Sequence, residues 1–308
     1  MSPPYSAAME LWIPITIGAA FCQNLRSALQ KHLKDRLSTG GASYARFIFA
    51  WPFVILYVAG LHGSGEFVLP TPGVSFAIYA AVGGLAQILA TACLVYIFSF
   101  RNFAVGTTYS KTETVQAAIF GIVILGDQLT GSALTAILIS LVGVIVLSSA
   151  QTGMRLGQMF SNLGERSALI GLASGTFFAV SAVAYRAAAL SLGGEGFLMQ
   201  AAFTLVCVLG FQTTVMGVYL IFREPGQFTD VLKSWRVAFW VGVTGALTSM
   251  GWFTAMTIQN VAYVRALGQI ELVFAFIVAH MIFREKTAKL EIGGIMLVVA
   301  GILVLLLG

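Results

Sequence analysis

Glu113 and Glu271 each stand about ten residues inside an apolar run, close to the midplane if the run crosses a bilayer as a helix. A carboxylate at that depth is costly unless it faces water or a protein-lined interior, where it can hold a cationic group or accept a proton. The two acids are 158 positions apart, and the same offset lays residues 102–147 on residues 260–305 without a gap. It pairs Asn102 with Asn260, Ala117 with Ala275, Gly143 with Gly301 and Leu147 with Leu305, and it sets Asp127 on Glu285. Apolar segments match one another easily, so the polar coincidences carry the weight of this internal repeat. A weaker echo lays Ala19 to Arg26 on Ala179 to Arg186.

The neighbours of the acids suggest their work. On a helix, Tyr109, Ser110, Gln116 and Ala117 share the face of Glu113, with Gly106 a turn further back. Leu267, Gly268, Phe274 and Ala275 surround Glu271, which makes the second copy the drier one. Arg26, Lys111, Arg186 and Arg265 also fall inside apolar runs. Lys111 precedes Glu113 by two residues and points about 200° away from it, so its partner must come from another helix. Arg186 and Arg265 lie near span ends, where snorkelling to the interface accounts for them. Arg26, beside Gln23 and Asn24, lies deeper. With Gln87 and Trp252, the candidate binding or proton-coupling set is Glu113, Glu271, Lys111, Arg26, Tyr109, Gln116, Asn24, Gln87, Trp252 and Arg265. Two acids among several bases suit a zwitterion or an organic anion.

The elements that must position these residues follow from composition. Of 308 residues, 58% are hydrophobic and 9% charged, more apolar surface than one soluble core can bury. The apolar runs cover 11–31, 43–61, 74–99, 103–125, 131–150, 167–190, 197–222, 236–258, 261–283 and 288–307, each about the length that spans a membrane. They are continuous rather than alternating, which predicts helices and not barrel strands. The expected fold is an all-α membrane protein of ten transmembrane helices. It divides into a five-helix repeat over 1–150, a link over 151–166, and a second repeat over 167–308. Because five is odd, the second repeat is expected to cross in the opposite sense. Gly83-Gly84, Gly143, Gly242, Gly293-Gly294 and Gly301 read as close helix contacts.

Lys and Arg between spans fall wholly on one side. The odd-numbered loops hold basic residues such as Arg36, Arg101, Arg155, Arg223, Lys233 and Lys286; the even-numbered loops and both termini hold none. That asymmetry puts the odd loops in the cytoplasm and both termini outside. It also accounts for the net charge of +5 without a nucleic-acid partner. Cys22, Cys93 and Cys207 lie in apolar runs and read as small buried hydrophobes rather than a disulfide or metal set. The first ten residues lack the basic start and cleavage site of a signal peptide, so the first span is expected to persist.

Two five-helix halves, each closing on an acid (Asp127 after Leu125-Gly126, Glu285 after Phe283-Arg284) and then a glycine-containing last helix, resemble the EamA-type members of the drug/metabolite transporter superfamily. The likeness covers essentially the whole chain. It implies a multi-pass protein of a bacterial inner membrane that exports or exchanges small metabolites, frequently amino acids, through a cavity opened alternately to either side. In that family a proline commonly follows the intramembrane acid, and both termini are often cytoplasmic. Here Thr114 and Leu272 stand at the proline position, and the loop charges oppose that orientation, so neither property is carried over.

The expected function is secondary transport of a small polar metabolite, with the lipid bilayer and the substrate as partners, possible proton coupling, and no cofactor or metal. A channel or a non-transporting membrane partner is the alternative, and leaves the doubled acid without a purpose. A membrane-embedded enzyme is disfavoured, because the chain has no HExxH, no GxSxG and no paired histidine ligands.

Overall fold

The computed structural model describes residues 10–33, 36–97, 100, 103–152, 164–194, 196–281 and 288–308. Among them the regular structure is helical throughout. In chain order the helices are α1 (Trp12–Leu33), α2 (Thr39–Gly63), α3 (Val74–Ile97), α4 (Phe103–Ser110) and α5 (Glu113–Phe120), which runs into a π turn (Gly121–Leu125). There follow α6 (Gly131–Thr152), α7 (Arg166–Ser191), α8 (Phe197–Arg223), α9 (Gln227–Lys233) and α10 (Trp235–Ile258). The chain ends with α11 (Val261–Gly268), α12 (Ile270–Met281) and α13 (Lys289–Leu307).

Eight helical segments among the described residues are long and apolar enough to cross a membrane. Helices suit that setting because each satisfies its own backbone groups. Large apolar side chains lie outermost: Leu56, Val74, Val123 and Phe222 are 68, 78, 76 and 77% exposed. Exposure of that kind is costly in water and neutral in lipid, and it points to a multi-pass membrane protein. Of the basic residues that predict orientation, Lys34, Arg101, Arg155, Arg284 and Lys286 lie outside the described residues, as do Asn102 and Glu285 of the repeat.

Contacts gather the chain into two compact units, each drawing on both halves of the sequence: Met1–Leu85 with Ala184–Gln259, and Ala86–Val183 with Asn260–Gly308. In the first unit α10 packs on α1 and α2, and α8 packs on α2. Phe47, Val54, Tyr185, Leu205 and Phe253 meet in its core. Glycines set these distances. A Cβ on Gly251 would lie 2.7 Å from that of Ala19, and one on Gly84 would lie 2.8 Å from the Phe211 ring.

The turn into α2 is fixed by Ser38. Its hydroxyl accepts from the Gly41 N–H at 2.9 Å and donates to the Glu224 carboxylate, while the Ser38 N–H donates to Gln227 Oε1 at 2.8 Å. Ser38→Ala removes the cap and the tie to Glu224 at the end of α8, and should cost about 1–2 kcal/mol. A thermal melt of the purified variant matching wild type would show that the cap carries no weight.

In the second unit α6 and α13 pack along much of their length through reciprocal glycine notches. A Cβ on Gly143 would stand 2.9 Å from the Gly294 carbonyl and 2.7 Å from the Val298 N–H; one on Gly301 would stand 2.8 Å from the Ala136 carbonyl and 2.9 Å from the Ser140 nitrogen. Adding 158 to 136, 140 and 143 gives 294, 298 and 301, so each contact is the other with its halves exchanged. As the numbers rise along α6 those on α13 fall, and the two repeat-equivalent helices run antiparallel.

The glycine readings divide. Gly143, Gly242, Gly294 and Gly301 are close contacts as expected, whereas a Cβ on Gly293 meets nothing within 4 Å. A contact the sequence did not suggest joins α7 to α4. Gly171 rests directly on the Gly106 backbone, and a Cβ on Gly175, one turn later, would lie 2.9 Å from the Ser110 carbonyl. This is the small-xxx-small spacing that lets membrane helices touch backbone to backbone.

Candidate functional site: two helix breaks joined by crossed ion pairs

The runs expected to be continuous over 103–125 and 261–283 are both interrupted, at equivalent points. The first breaks after Ser110, at Lys111-Thr112; the second breaks after Gly268, at Gln269. Ser110 and Gly268 are themselves 158 apart. Neither break contains proline. At the first, the turn tightens as Lys111 N–H donates to the Thr108 carbonyl and Thr112 N–H to that of Tyr109, both at 3.1 Å. The hydroxyls of Ser110 and Thr112 add bonds to the carbonyls of Thr107 and Tyr109, at 2.7 and 2.6 Å. Side chains that bond backward in this way compete with helix continuation. At the second, Gln269 N–H reaches Ala266 at 3.2 Å and Leu272 N–H reaches Gln269 at 2.9 Å.

Each break places an acid in the first turn of the following helix and a base at the end of the preceding one. Glu113 opens α5 and Glu271 lies in the first turn of α12; Arg265 is in the last turn of α11 and Lys111 follows α4 directly. Both placements suit the partial charges of helix ends. The four then pair across the repeat. Lys111 Nζ donates to Glu271 Oε1 at 3.1 Å, and Arg265 Nη1 to Glu113 Oε1 at 3.5 Å. Lys111 thus finds its partner on another helix, as its direction required. Arg265 does not serve only as a snorkelling end residue, since its guanidinium meets an acid. The two carboxylates are also alike in exposure, with side chains 18 and 19% accessible, so the second copy is no drier than the first.

Uncharged groups brace the same place. Thr176 donates to Gln116 Oε1 at 2.6 Å, Gln116 Nε2 donates to Thr112 Oγ1 at 2.8 Å, and Thr112 donates to the Tyr109 carbonyl. This chain runs from α7 through α5 into the first break. Across the breaks, Gln269 Nε2 donates to Thr114 Oγ1 at 2.9 Å. A cavity of about 10 Å³ lies beside this bond, lined by Lys111, Thr114, Ser140 and Gln269 with Ile137, Leu141 and Val144. Gln269 Oε1 and Ser140 Oγ are buried there without a hydrogen-bond partner among the described residues. Its size and these two oxygens suit one water molecule. Gln269→Leu should lower stability by about 1 kcal/mol, the net value of one neutral hydrogen bond; an unchanged melting temperature would argue that this tie is not made.

The structure therefore gathers Glu113, Glu271, Lys111, Arg265 and Gln116, with the Tyr109 backbone, into one network in the second unit. Gln87 lies half-buried on α3 in the same unit. Asn24, Arg26 and Trp252 belong to the first unit. There Asn24 Nδ2 bonds back to the Ala20 carbonyl at 3.2 Å, and the buried Trp252 donates to Gln23 Oε1 at 2.9 Å, a tie between α10 and α1. Arg186 donates through Nη1 to the Met256 carbonyl at 2.6 Å and also to that of Gln259, holding the last turn of α10 rather than the membrane surface. Sequence reasoning passed over Arg46, hidden within an aromatic run, and Thr112, Thr176 and Ser140, whose only signal is a hydroxyl in an apolar run.

No family model matches the chain, and no curated protein matches it. Solved structures do: one, a crystal structure of a protein described no further, superposes on it with a TM-score of 0.69 at 15% identity, covering 98% of each chain. At that identity the likeness is one of fold.

Proposed function

We propose that this chain is a secondary active transporter of a small polar metabolite, an amino acid or organic anion, working by alternating access. In this reading ten helical passes, two of them broken, form two inverted five-helix repeats in a bacterial inner membrane, with both termini outside the cytoplasm. The kinship proposed is with the EamA-type drug/metabolite transporters. One observation carries the proposal: two acids at repeat-equivalent helix breaks exchange ion pairs with bases of the opposite copy. Antiparallel, reciprocal packing of α6 on α13 supports the inversion.

The mechanism follows from the charges. Broken membrane helices put helix ends and charged side chains at mid-depth, where a bound ion or substrate can compete for them. Protonation of Glu113 or Glu271, or arrival of a charged substrate group, dissolves one crossed pair and frees its base. The two half-helices at that break then lose the tie that fixes their angle. A ligand shifts such an equilibrium only as far as it prefers one arrangement over the other.

The test is counterflow in proteoliposomes holding the purified protein, with radiolabelled amino acids and dicarboxylates offered one at a time. Saturable uptake accelerated by unlabelled solute inside supports a carrier. Flux that rises linearly with concentration and ignores the inner solute would make the protein a pore.

A further inference from the structure

The two crossed pairs are alike in charge but not in surroundings. Lys111 forms part of the wall of the small cavity beside the Gln269–Thr114 bond, and neither Arg265 nor Glu113 does. The other polar residues of that wall are Thr114, Ser140 and Gln269, all buried. Ser140 Oγ and Gln269 Oε1 have no hydrogen-bond partner among the described residues. Thr114 Oγ1 accepts from Gln269 Nε2 at 2.9 Å, and a hydroxyl oxygen can accept twice. Three oxygens able to accept therefore border a space the size of one water.

An ammonium group has that size, three donors and no acceptor. Buried oxygens without a donor are costly, so the wall favours whatever brings one. Lys111 Nζ now donates to Glu271 Oε1 at 3.1 Å. Because Lys111 touches both Glu271 and the cavity, passing from one to the other asks for a turn of its flexible stem rather than a movement of helices. The occasion arises when Glu271 takes a proton or binds a cationic group, since an ammonium left without a counter-charge at that depth is costly. The charges acting on Lys111 are those of Glu271, Glu113 and Arg265. Of the elements around them, α6 has no titratable residue, Tyr263 of α11 bonds to Thr130, and Lys289 and Glu291 of α13 sit in its first turn.

We infer that the cavity is a second berth for the Lys111 ammonium group, taken when Glu271 is neutralised, and that Ser140 and Gln269 are the positioning residues that receive it. The purpose of the berth rests on the carrier reading, which it deepens: the Lys111–Glu271 pair switches, and the Arg265–Glu113 pair, whose planar guanidinium is larger than the cavity, holds. A water in the space leaves as Nζ enters. The move ties the first helix break to α6 through Ser140, whose Oγ is the atom nearest a Cβ built on Gly301, so the change of charge reaches the seam between α6 and α13.

The test is a set of melting temperatures for the full-length protein in detergent at one pH. Ser140→Ala and Lys111→Met are made singly and together, once with Glu271 intact and once with Glu271→Gln. With Glu271 intact the two effects should add. With Glu271→Gln, Ser140→Ala should lower the melting temperature by about 3 °C when Lys111 is present and leave it unchanged when Lys111→Met is present too. Additive effects in both backgrounds overturn the berth. Equal coupling in both overturns it as well, because Ser140 would then hold Lys111 at all times. So does failure of Glu271→Gln to fold, since a lysine with a berth is not stranded. A second variant moves the acid to the berth: Gln269→Glu with Glu271→Gln should melt above Glu271→Gln alone, and a lower value counts against the proposal. The two readings fail separately. Saturable counterflow without the conditional coupling would sink the berth and spare the carrier; the coupling without counterflow of any solute would do the reverse.

Discussion

Lys111→Met should lower the stability of the purified protein by about 2 kcal/mol, and adding Glu271→Gln should restore most of the loss. Removing one partner of a buried ion pair costs about 3–5 kcal/mol, because the remaining charge is stranded in a poorly solvating site. The figure is discounted here because the Lys111 side chain keeps 37% of its accessibility. Neutralising the stranded carboxylate removes the penalty without restoring the bond, so the double variant should fall between wild type and the single one. Arg265→Met should follow the same pattern with Glu113→Gln, more weakly, because that pair is held at 3.5 Å rather than 3.1 Å. The measurement is a double-mutant cycle of melting curves in detergent. A Lys111→Met single variant as stable as wild type would mean that the crossed pairs do not form, and the proposed mechanism would fail with them. In the carrier reading the neutral double variant also folds but no longer couples substrate or proton to the helix breaks, so its counterflow should be lost while its stability largely survives.

The second large effect separates two adjacent glycines. Gly294→Leu should abolish a stable fold, and Gly293→Leu should be tolerated. A Cβ on Gly294 meets the Leu147 backbone nitrogen at 2.7 Å, and backbone cannot step aside as a side-chain tip can. The variant must push α13 away from α6, at about 3 kcal/mol or more. Gly293 faces open space, so its variant adds only an apolar side chain on a membrane-facing helix. Expression followed by size-exclusion chromatography reads the difference: a monodisperse peak for Gly293→Leu and aggregation for Gly294→Leu. Equal behaviour of the two would show that the α6–α13 contact is looser than described.

How much of this was legible in the sequence depends on what each residue announces. The acids announced themselves, since a Glu amid apolar residues has few bland explanations and a second at a fixed offset has fewer. Gly143 and Gly301 were legible as repeat partners, and the structure gives them the same contact. The helix breaks were not legible, because Lys111-Thr112 and Gln269 are not helix breakers by propensity. The interruption arises from hydroxyls turned back onto carbonyls and from charges held by a distant segment, and neither shows in a linear pattern. Arg265 was legible only in part: it stood in the candidate set, but its position near a span end favoured the interface, and Glu113 beside it shows in no linear pattern. Arg46 went unnoticed because Tyr44, Phe47, Phe49 and Trp51 make its run look uniformly apolar. Gly171 and Gly175 carried a readable spacing, but only the fold says that they rest on the broken helix.

The interchangeable contacts made by Gly143 and by Gly301 have a genetic consequence. In the inverted-repeat reading, a half-length chain that inserted in both directions would meet an upside-down copy of itself through the same notch, so one gene, duplicated and fused, would suffice to build the pair. After such a fusion the two codons are free to drift apart, yet every change in one still lands against a stretch of the other copy.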